Sequence, residues 1–194
     1  INAIVLGTSN LSGALSVTTA GNITQSGALD INGAASFTAT GADITLDNNG
    51  NDFTSLALNA VNAVVEDSNA LELAVSAITN ALNITTGGNL TQSGAIDVNG
   101  ATVLAVTGDI TLENAANDLT SLNATATNIS VTDSNDLSVA ALNANNLSLT
   151  AVGALTQTGA FVVSNNAEVN ASTATLTQSN DFNTLSVNGG SVNV

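Results

Sequence analysis

The chain has 194 residues, 15 Asp plus Glu and no Lys, Arg or His, for a formal charge of −15 at pH 7; Cys, Met, Trp, Tyr and Pro are absent too. Nucleic-acid binding and polybasic membrane docking need cations, Ser or Thr nucleophiles need a His or Lys base, and haem, iron–sulfur and ordinary zinc sites need His, Cys or Met. Those classes drop out, and carboxylate chemistry of the glycosidase kind is the one enzymatic route left.

The chain is expected to fold. Apolar residues make up 44% and charged residues 8%, whereas disordered chains combine low hydrophobicity with high charge. No apolar run approaches the length of a bilayer span, so no transmembrane helix and no membrane insertion are expected. The sequence opens at Ile1 rather than Met and shows no signal peptide. It reads as a segment of a longer or processed protein. The absence of Cys fits a long secreted bacterial protein that does not rely on disulfides.

In chain order, short runs alternate apolar with polar: Leu15/Val17, Leu29/Ile31, Ile44/Leu46, Leu56/Leu58, Leu71/Leu73/Val75, Leu82/Ile84, Ile96/Val98, Ile129/Val131, Leu147/Leu149 and Leu185/Val187. A period of two means strands with one face buried. Gly, Asn, Asp and Ser cut the runs, and these residues make tight turns. No window sustains a helical pattern. The Ala- and Leu-rich stretch 70–82 is read as strand, because its counterpart 136–147 is interrupted by Asn.

The runs belong to a long repeat. Residues 15–33 return as 82–100, an offset of 67, and a third copy passes through Leu155-Thr-Gln-Thr-Gly-Ala-Phe161. Gln25, Gln92 and Gln157 hold the same place in each copy. Asn51-Asp-Phe53 returns as Asn117-Asp-Leu119 and as Asn180-Asp-Phe182, and Glu66-Asp-Ser-Asn69 returns as Thr132-Asp-Ser-Asn135. Residues 1–194 are therefore read as one domain built from blocks at about 15–81, 82–146 and 147–194. With only four Phe, an aromatic-rich sandwich or barrel core is a poor fit. A narrow solenoid core of Leu, Ile, Val and Ala is a good one. The expected fold is all-β: a right-handed parallel β-helix (β-solenoid) of about nine coils, three per block, each of roughly 18–27 residues. Stacked coils place like side chains above one another, so Asn, Ser and Thr are expected to form hydrogen-bonded ladders.

The words Gly-Asn-Ile-Thr-Gln-Ser-Gly-Ala-Leu (21–29), Ala-Asp-Ile-Thr-Leu-Asp (42–47) and Gly-Asn-Asp-Phe (50–53) resemble repeats of the filamentous-haemagglutinin-like family. The likeness covers about residues 15–187. It implies a right-handed parallel β-helix displayed as a long stalk or filament outside a Gram-negative bacterium, on the cell surface or secreted. The secretion domain of that family is not evident in this sequence.

The candidate sites are few. Asp47-Asn-Asn-Gly-Asn-Asp52 has the alternating oxygen donors and the turn glycine of a calcium loop. Its copy 113–118 keeps the acids but not the glycine, so Asp47, Asp52, Glu113 and Asp118 are the candidate metal ligands; acidic turns are the plainer reading, and no other cofactor is expected. Glu66-Asp67 and Asp133/Asp136 could be drawn as a glycosidase pair, but without Trp, Tyr or Arg to hold a sugar they read as surface acids at coil corners. No enzyme activity is expected. Thr-x-Thr at 38/40, 125/127, 156/158 and 173/175 does not recur once per coil, as an ice-binding face requires. Sequons at Asn10, Asn22, Asn83, Asn89, Asn123, Asn128, Asn146 and Asn170 leave glycan decoration open.

The expected function is a structural repeat segment of an extracellular adhesin or filament, a rigid stalk or a self-assembling fibre subunit. Its partners would be a second copy stacked end to end, or the continuation of a longer chain. The alternative is a carbohydrate- or surface-binding adhesin module, with a host or surface glycan held by loops such as 47–52 or 61–69.

Overall fold

The computed structural model describes residues 2–194. It contains 21 strands and no helix among them, joined in one sheet. Each strand pairing is parallel. The parallel β-solenoid read from the sequence is the observed fold, and it makes about ten turns.

Each coil has three faces. Face one carries Ile4–Leu6, Ile23–Gln25, Ile44–Leu46, Ala63–Asp67 and Leu82–Thr86. Face two carries Ser9–Leu11, residues 29–31 and 52–53, then Leu71–Leu73, Leu90–Gln92 and Ile110–Leu112. Face three carries Leu15–Thr19, residues 35–39 and 55–60, then Ser76–Ile78 and residues 96–98. Some strands run on around a corner, as Leu29–Ala39 does from face two to face three.

Stacked residues are 17 to 22 apart in sequence, from Leu56↔Leu73 to Ile31↔Phe53. These spacings fall at the short end of the 18–27 residues expected from the sequence, and the whole number of three coils per block is corrected. Ile23, Ile44, Ala63 and Leu82 stand in one column, so three coils carry the chain from Ile23 to Leu82. The sequence copy of Ile23 is Leu90, eight residues further on and one face around. Each block thus winds three coils and one face, and its copy restarts about a third of a turn away.

The alternation sets the core. Ile4, Ile23, Ile44, Ala63, Leu82, Thr102 and Leu122 form one inward column. Leu71, Leu90, Ile110, Ile129, Leu147, Ala167 and Leu185 form another. Burying one Leu or Ile contributes about 1.5–3 kcal/mol. Phe37 and Phe53 meet edge to face at 6.1 Å, and Phe161 and Phe182 at 6.3 Å. The strand expected to run through 70–82 is two strands, Leu71–Leu73 and Ser76–Ile78. Val75 lies in the corner between them and is 69% exposed. Thr102 is the odd member of its column: its buried hydroxyl has no hydrogen-bond partner.

Glycine matters where corners press together. A Cβ on Gly159 would sit 1.8 Å from the Ala140 carbonyl oxygen of the coil beneath, and one on Gly87 would sit 2.2 Å from that of Ser68. Gly41, with φ of 69°, turns a corner in the left-handed region that costs glycine nothing.

Candidate functional sites at the coil corners

At the corner between faces one and two, Gln25 and Asn51 join successive coils. Gln25 Nε2 donates to Asn51 Oδ1 at 2.7 Å, and Asn51 Nδ2 donates back to Gln25 Oε1 at 3.0 Å. Asn51 Oδ1 also takes the Leu29 N–H at 2.9 Å, while its Nδ2 lies 3.1 Å from the carbonyls of Leu46 in its own coil and Glu66 in the coil above. One coil higher, Asp67 accepts the N–H groups of Phe53 at 2.7 Å and Asn69 at 3.1 Å. The corner is a polar column inside the wall. It meets the demand that buried backbone donors and acceptors be paired.

Block two rebuilds this clasp at the next corner, between faces two and three. Gln92 and Asn117 exchange bonds of 2.8 and 3.0 Å, Ile96 N–H donates to Asn117 at 3.0 Å, and Asp133 caps Leu119 N–H at 2.7 Å. Block three places it at the remaining corner, where Gln157 and Asn180 exchange two bonds of 2.9 Å and Asn180 takes the Phe161 N–H. The sequence marked the Gln and the Asn as repeat positions but did not pair them. The signal was their constant order in each copy, always one coil apart.

Asp67 and Asp133 do not lie on the surface as expected. They are 4% and 0% exposed, because their carboxylates turn inward to cap backbone. Burial raises the pKa of both. The N–H donors Phe53 and Asn69 oppose the rise at Asp67, and Leu119 and Asn135 oppose it at Asp133. The charge of Asp52 lifts Asp67 further, and those of Asp118 and Asp136 lift Asp133. Asp136, which the sequence set beside Asp133 as a surface acid, is exposed and accepts Ala154 N–H at 2.7 Å.

The candidate calcium ligands fall at two corners. Asp47 and Asp52 flank the face-one/two turn in the third coil; Glu113 and Asp118 flank the face-two/three turn in the sixth. Asn51, a donor of the first loop, points into the clasp. Asp118 accepts from Asn135 Nδ2 at 2.8 Å, and Glu113 accepts from the Ser130 hydroxyl. No cluster of three or more acidic groups able to hold a metal is found among the described residues.

Outside, the expected ladders are present for Asn, with an Asp taking one rung of each. Asp43 N–H donates to Asn22 at 3.3 Å, Asn62 Nδ2 to Asp43 at 2.8 Å and Asn80 Nδ2 to Asn62 at 2.7 Å. The copy runs Asn89, Asp109, Asn128, Asn146 through bonds of 2.9, 2.8 and 2.7 Å. Four of the eight sequon asparagines, Asn22, Asn89, Asn128 and Asn146, are thereby engaged in ladders. Of the other four, Asn83 and Asn123 are exposed on strands. The first ladder borders an open groove of about 520 Å³ lined by Ala3, Gly21, Asn22, Ala42, Asp43 and Asn62 among others. Among the Thr-x-Thr pairs, Thr156 stacks on Thr175.

A family model described as repeats of unknown function (DUF5649) matches residues 1–60, 59–126 and 126–188. No curated protein and no solved structure matches the chain. The matched segments step along the sequence as the three clasps do, and together they take in nearly all of it, so the chain belongs to that family of repeats.

Proposed function

We propose that the chain is a structural segment of an extracellular bacterial surface protein: a stiff stalk or fibre subunit that provides reach and spacing. The observation that carries this reading is the continuity of the wall. One parallel sheet passes through about ten coils, and clasps at all three corners tie each block's coils together. At about 4.8 Å per coil the rod is about 48 Å long. The likeness of residues 21–29, 42–47 and 50–53 to filamentous-haemagglutinin-like repeats supports display outside a Gram-negative cell. No catalysis enters this reading, since Asp67 and Asp133 are occupied by backbone N–H groups. Small-angle scattering from the purified chain tests it: rods of that length are expected, and compact spheroids would overturn it.

A second reading is favoured by the groove beside Asn22, Asp43 and Asn62. Amides and a carboxylate in an open trough can hydrogen-bond sugar hydroxyls, which fits a glycan-binding adhesin module. Glycan-array binding that disappears in Asp43→Ala would support it, and binding indifferent to that change would remove the groove from consideration.

A further inference from the structure

The turn at 47–52 carries a reactive pair that its copy lacks. The chain contains four Asn-Gly pairs, at 32–33, 49–50, 99–100 and 188–189. When Gly follows Asn, its backbone nitrogen can attack the side-chain amide carbon with no Cβ in the way. The attack needs the Asn ψ to leave its ordinary extended or helical range, so the peptide that follows must be free to rotate. The fold decides which pairs have that freedom.

Asn32-Gly33 and Asn99-Gly100 lie inside the long strands Leu29–Ala39 and Ile96–Val106, at the irregularity where each turns its corner. Their glycines press on the coil beneath. An added Cβ would sit 2.5 Å from the Gly13 carbonyl carbon at Gly33, and 2.3 Å from the Asn80 carbonyl oxygen at Gly100. Each strand is also paired with the coil above. Neither peptide can turn without prising packed coils apart. A Cβ on Gly189 would likewise meet the Ala171 carbonyl oxygen, at 2.8 Å.

Asn49-Gly50 is unlike them. Both residues are exposed and lie outside any strand, between Leu46 and Asp52. The atoms nearest an added Cβ on Gly50 belong to side chains, Asn48 Oδ1 at 3.2 Å and Ala28 Cβ at 3.4 Å. The Gly50 N–H is held by an exposed bond to Asn48 Oδ1 at 3.0 Å. Exposed tips of small polar residues are where a backbone yields most easily.

Block two folds the same turn without the pair. Ala116 N–H donates to Asn114 Oδ1 at 3.0 Å, and Asn117 N–H to the Asn114 carbonyl at 3.1 Å. In block one Asn51 N–H closes on the Asn48 carbonyl at 3.0 Å. The tip is Ala115-Ala116 in place of Asn49-Gly50.

We infer that Asn49 is a site of spontaneous deamidation, and that the change acts on the first clasp. The Gly50 nitrogen gives its proton to water or hydroxide and attacks Asn49 Cγ. The side-chain nitrogen takes up a proton and leaves as ammonia, and a five-membered succinimide ring closes. Water then opens either carbonyl bond of the ring, leaving an aspartyl or an isoaspartyl residue. Water is the sole co-reactant. The isoaspartyl product routes the main chain through the side-chain carboxyl and lengthens it by one methylene. That longer link lies inside the four-residue turn closed by Asn51. Asn51 is the residue whose amide ties Gln25, Leu29, Leu46 and Glu66 together. The new carboxylate also stands between Asp47 and Asp52, in a chain with no Lys or Arg to pair it. The molecule thus ages at the clasp of Asn51 and not at that of Asn117.

Incubating the purified chain in mildly alkaline buffer tests the assignment. The chain has no Lys or Arg for trypsin, so pepsin at low pH, where the reaction stalls, supplies the peptides for mass spectrometry. In the folded chain position 49 should convert at least tenfold faster than position 32 or 99. In urea, where no coil holds any of them, the three rates should converge. Conversion at 32 or 99 as fast as at 49 in the folded chain would overturn the assignment, as would rates that stay equally far apart in urea. Gly50→Ala installs the tip residue of block two. It should cut conversion at position 49 at least tenfold with circular dichroism unchanged, and undiminished conversion counts against the site. For the clasp, aged protein should unfold at lower urea than fresh protein, while aged and fresh Gly50→Ala should coincide. Equal midpoints for fresh and fully converted protein would sever the site from the clasp.

Discussion

The first two corner clasps and the third are built from the same residues but end differently. Around Asn51 and Asn117 the column is closed above by Glu66-Asp67 and Thr132-Asp133. Around Asn180, in the last coil described, the amide makes one bond fewer. In the closed clasps a single asparagine serves two coils, and a buried aspartate pairs the backbone donors that remain. In the third, Asn180 binds its own coil through Leu176 and the coil beneath through Gln157 and Phe161.

Several substitutions sharpen this contrast. The largest effect is expected at Asn51 or Asn117. Asn51→Ala strands Leu29 N–H, two carbonyls and Gln25 in the wall, and at about 1–3 kcal/mol per orphaned group should cost about 4 kcal/mol or more. Asn180→Ala should cost no more than about half of that, given its rim position and smaller bond count. Denaturant titrations of the three variants give the ranking, and an equal loss at Asn180 would contradict it.

Next comes Gly87→Ala. Its Cβ would meet the Ser68 carbonyl oxygen, so the corner must open, at about 1–3 kcal/mol for an overpacked site. Gly13→Ala, where no atom lies within 4 Å of an added Cβ, should leave the melting temperature nearly unchanged. The pair of melting curves checks both.

Acidity offers a third handle. Asp67 and Asp133 have pKa values raised above the ordinary 3.8 by burial. A raised folded value means that folding favours the protonated form. The stabilising contribution is complete below about pH 3.8 and is lost as pH rises through the folded values. Melting temperature should therefore climb on acidification from pH 7 toward pH 4. Relief of general repulsion among the acids works in the same direction, so the double variant Asp67→Asn/Asp133→Asn should keep part of the climb and lose the rest. A slope unchanged in the double variant would remove these two groups as its source.

The smallest effect is expected at Thr102. Val has the same shape without the orphan hydroxyl, so Thr102→Val should stabilise by about 1 kcal/mol, read as a later midpoint in urea.

Most of the architecture was legible because alternation and repetition are printed directly in the residues. Leu15/Val17, Leu82/Ile84 and Leu147/Leu149 announce strands, and their copies announce a stack. The coil length was not legible, because no residue type marks where one turn ends. Dividing the long repeat by three gives coils that are too long, whereas the chain winds the shorter turns seen in Leu56↔Leu73 and carries one face over. Val75 fits the alternation of Leu71 and Leu73 yet points outward, since a corner reset the phase. Asp67 and Asp133 read as surface acids because an acid beside Ser-Asn looks the same whether it faces water or caps backbone. Their fixed distance of 14 residues from Phe53 and Leu119 was the available clue.

The extra face in each block has a consequence for how such proteins grow. A lineage that gains one block lengthens the molecule by about 16 Å and swings everything beyond the insertion through about 120°. Gains in threes change reach without changing aim. Selection on what is mounted at the far tip should therefore favour block numbers that differ by multiples of three, while selection on length alone would leave every number equally common.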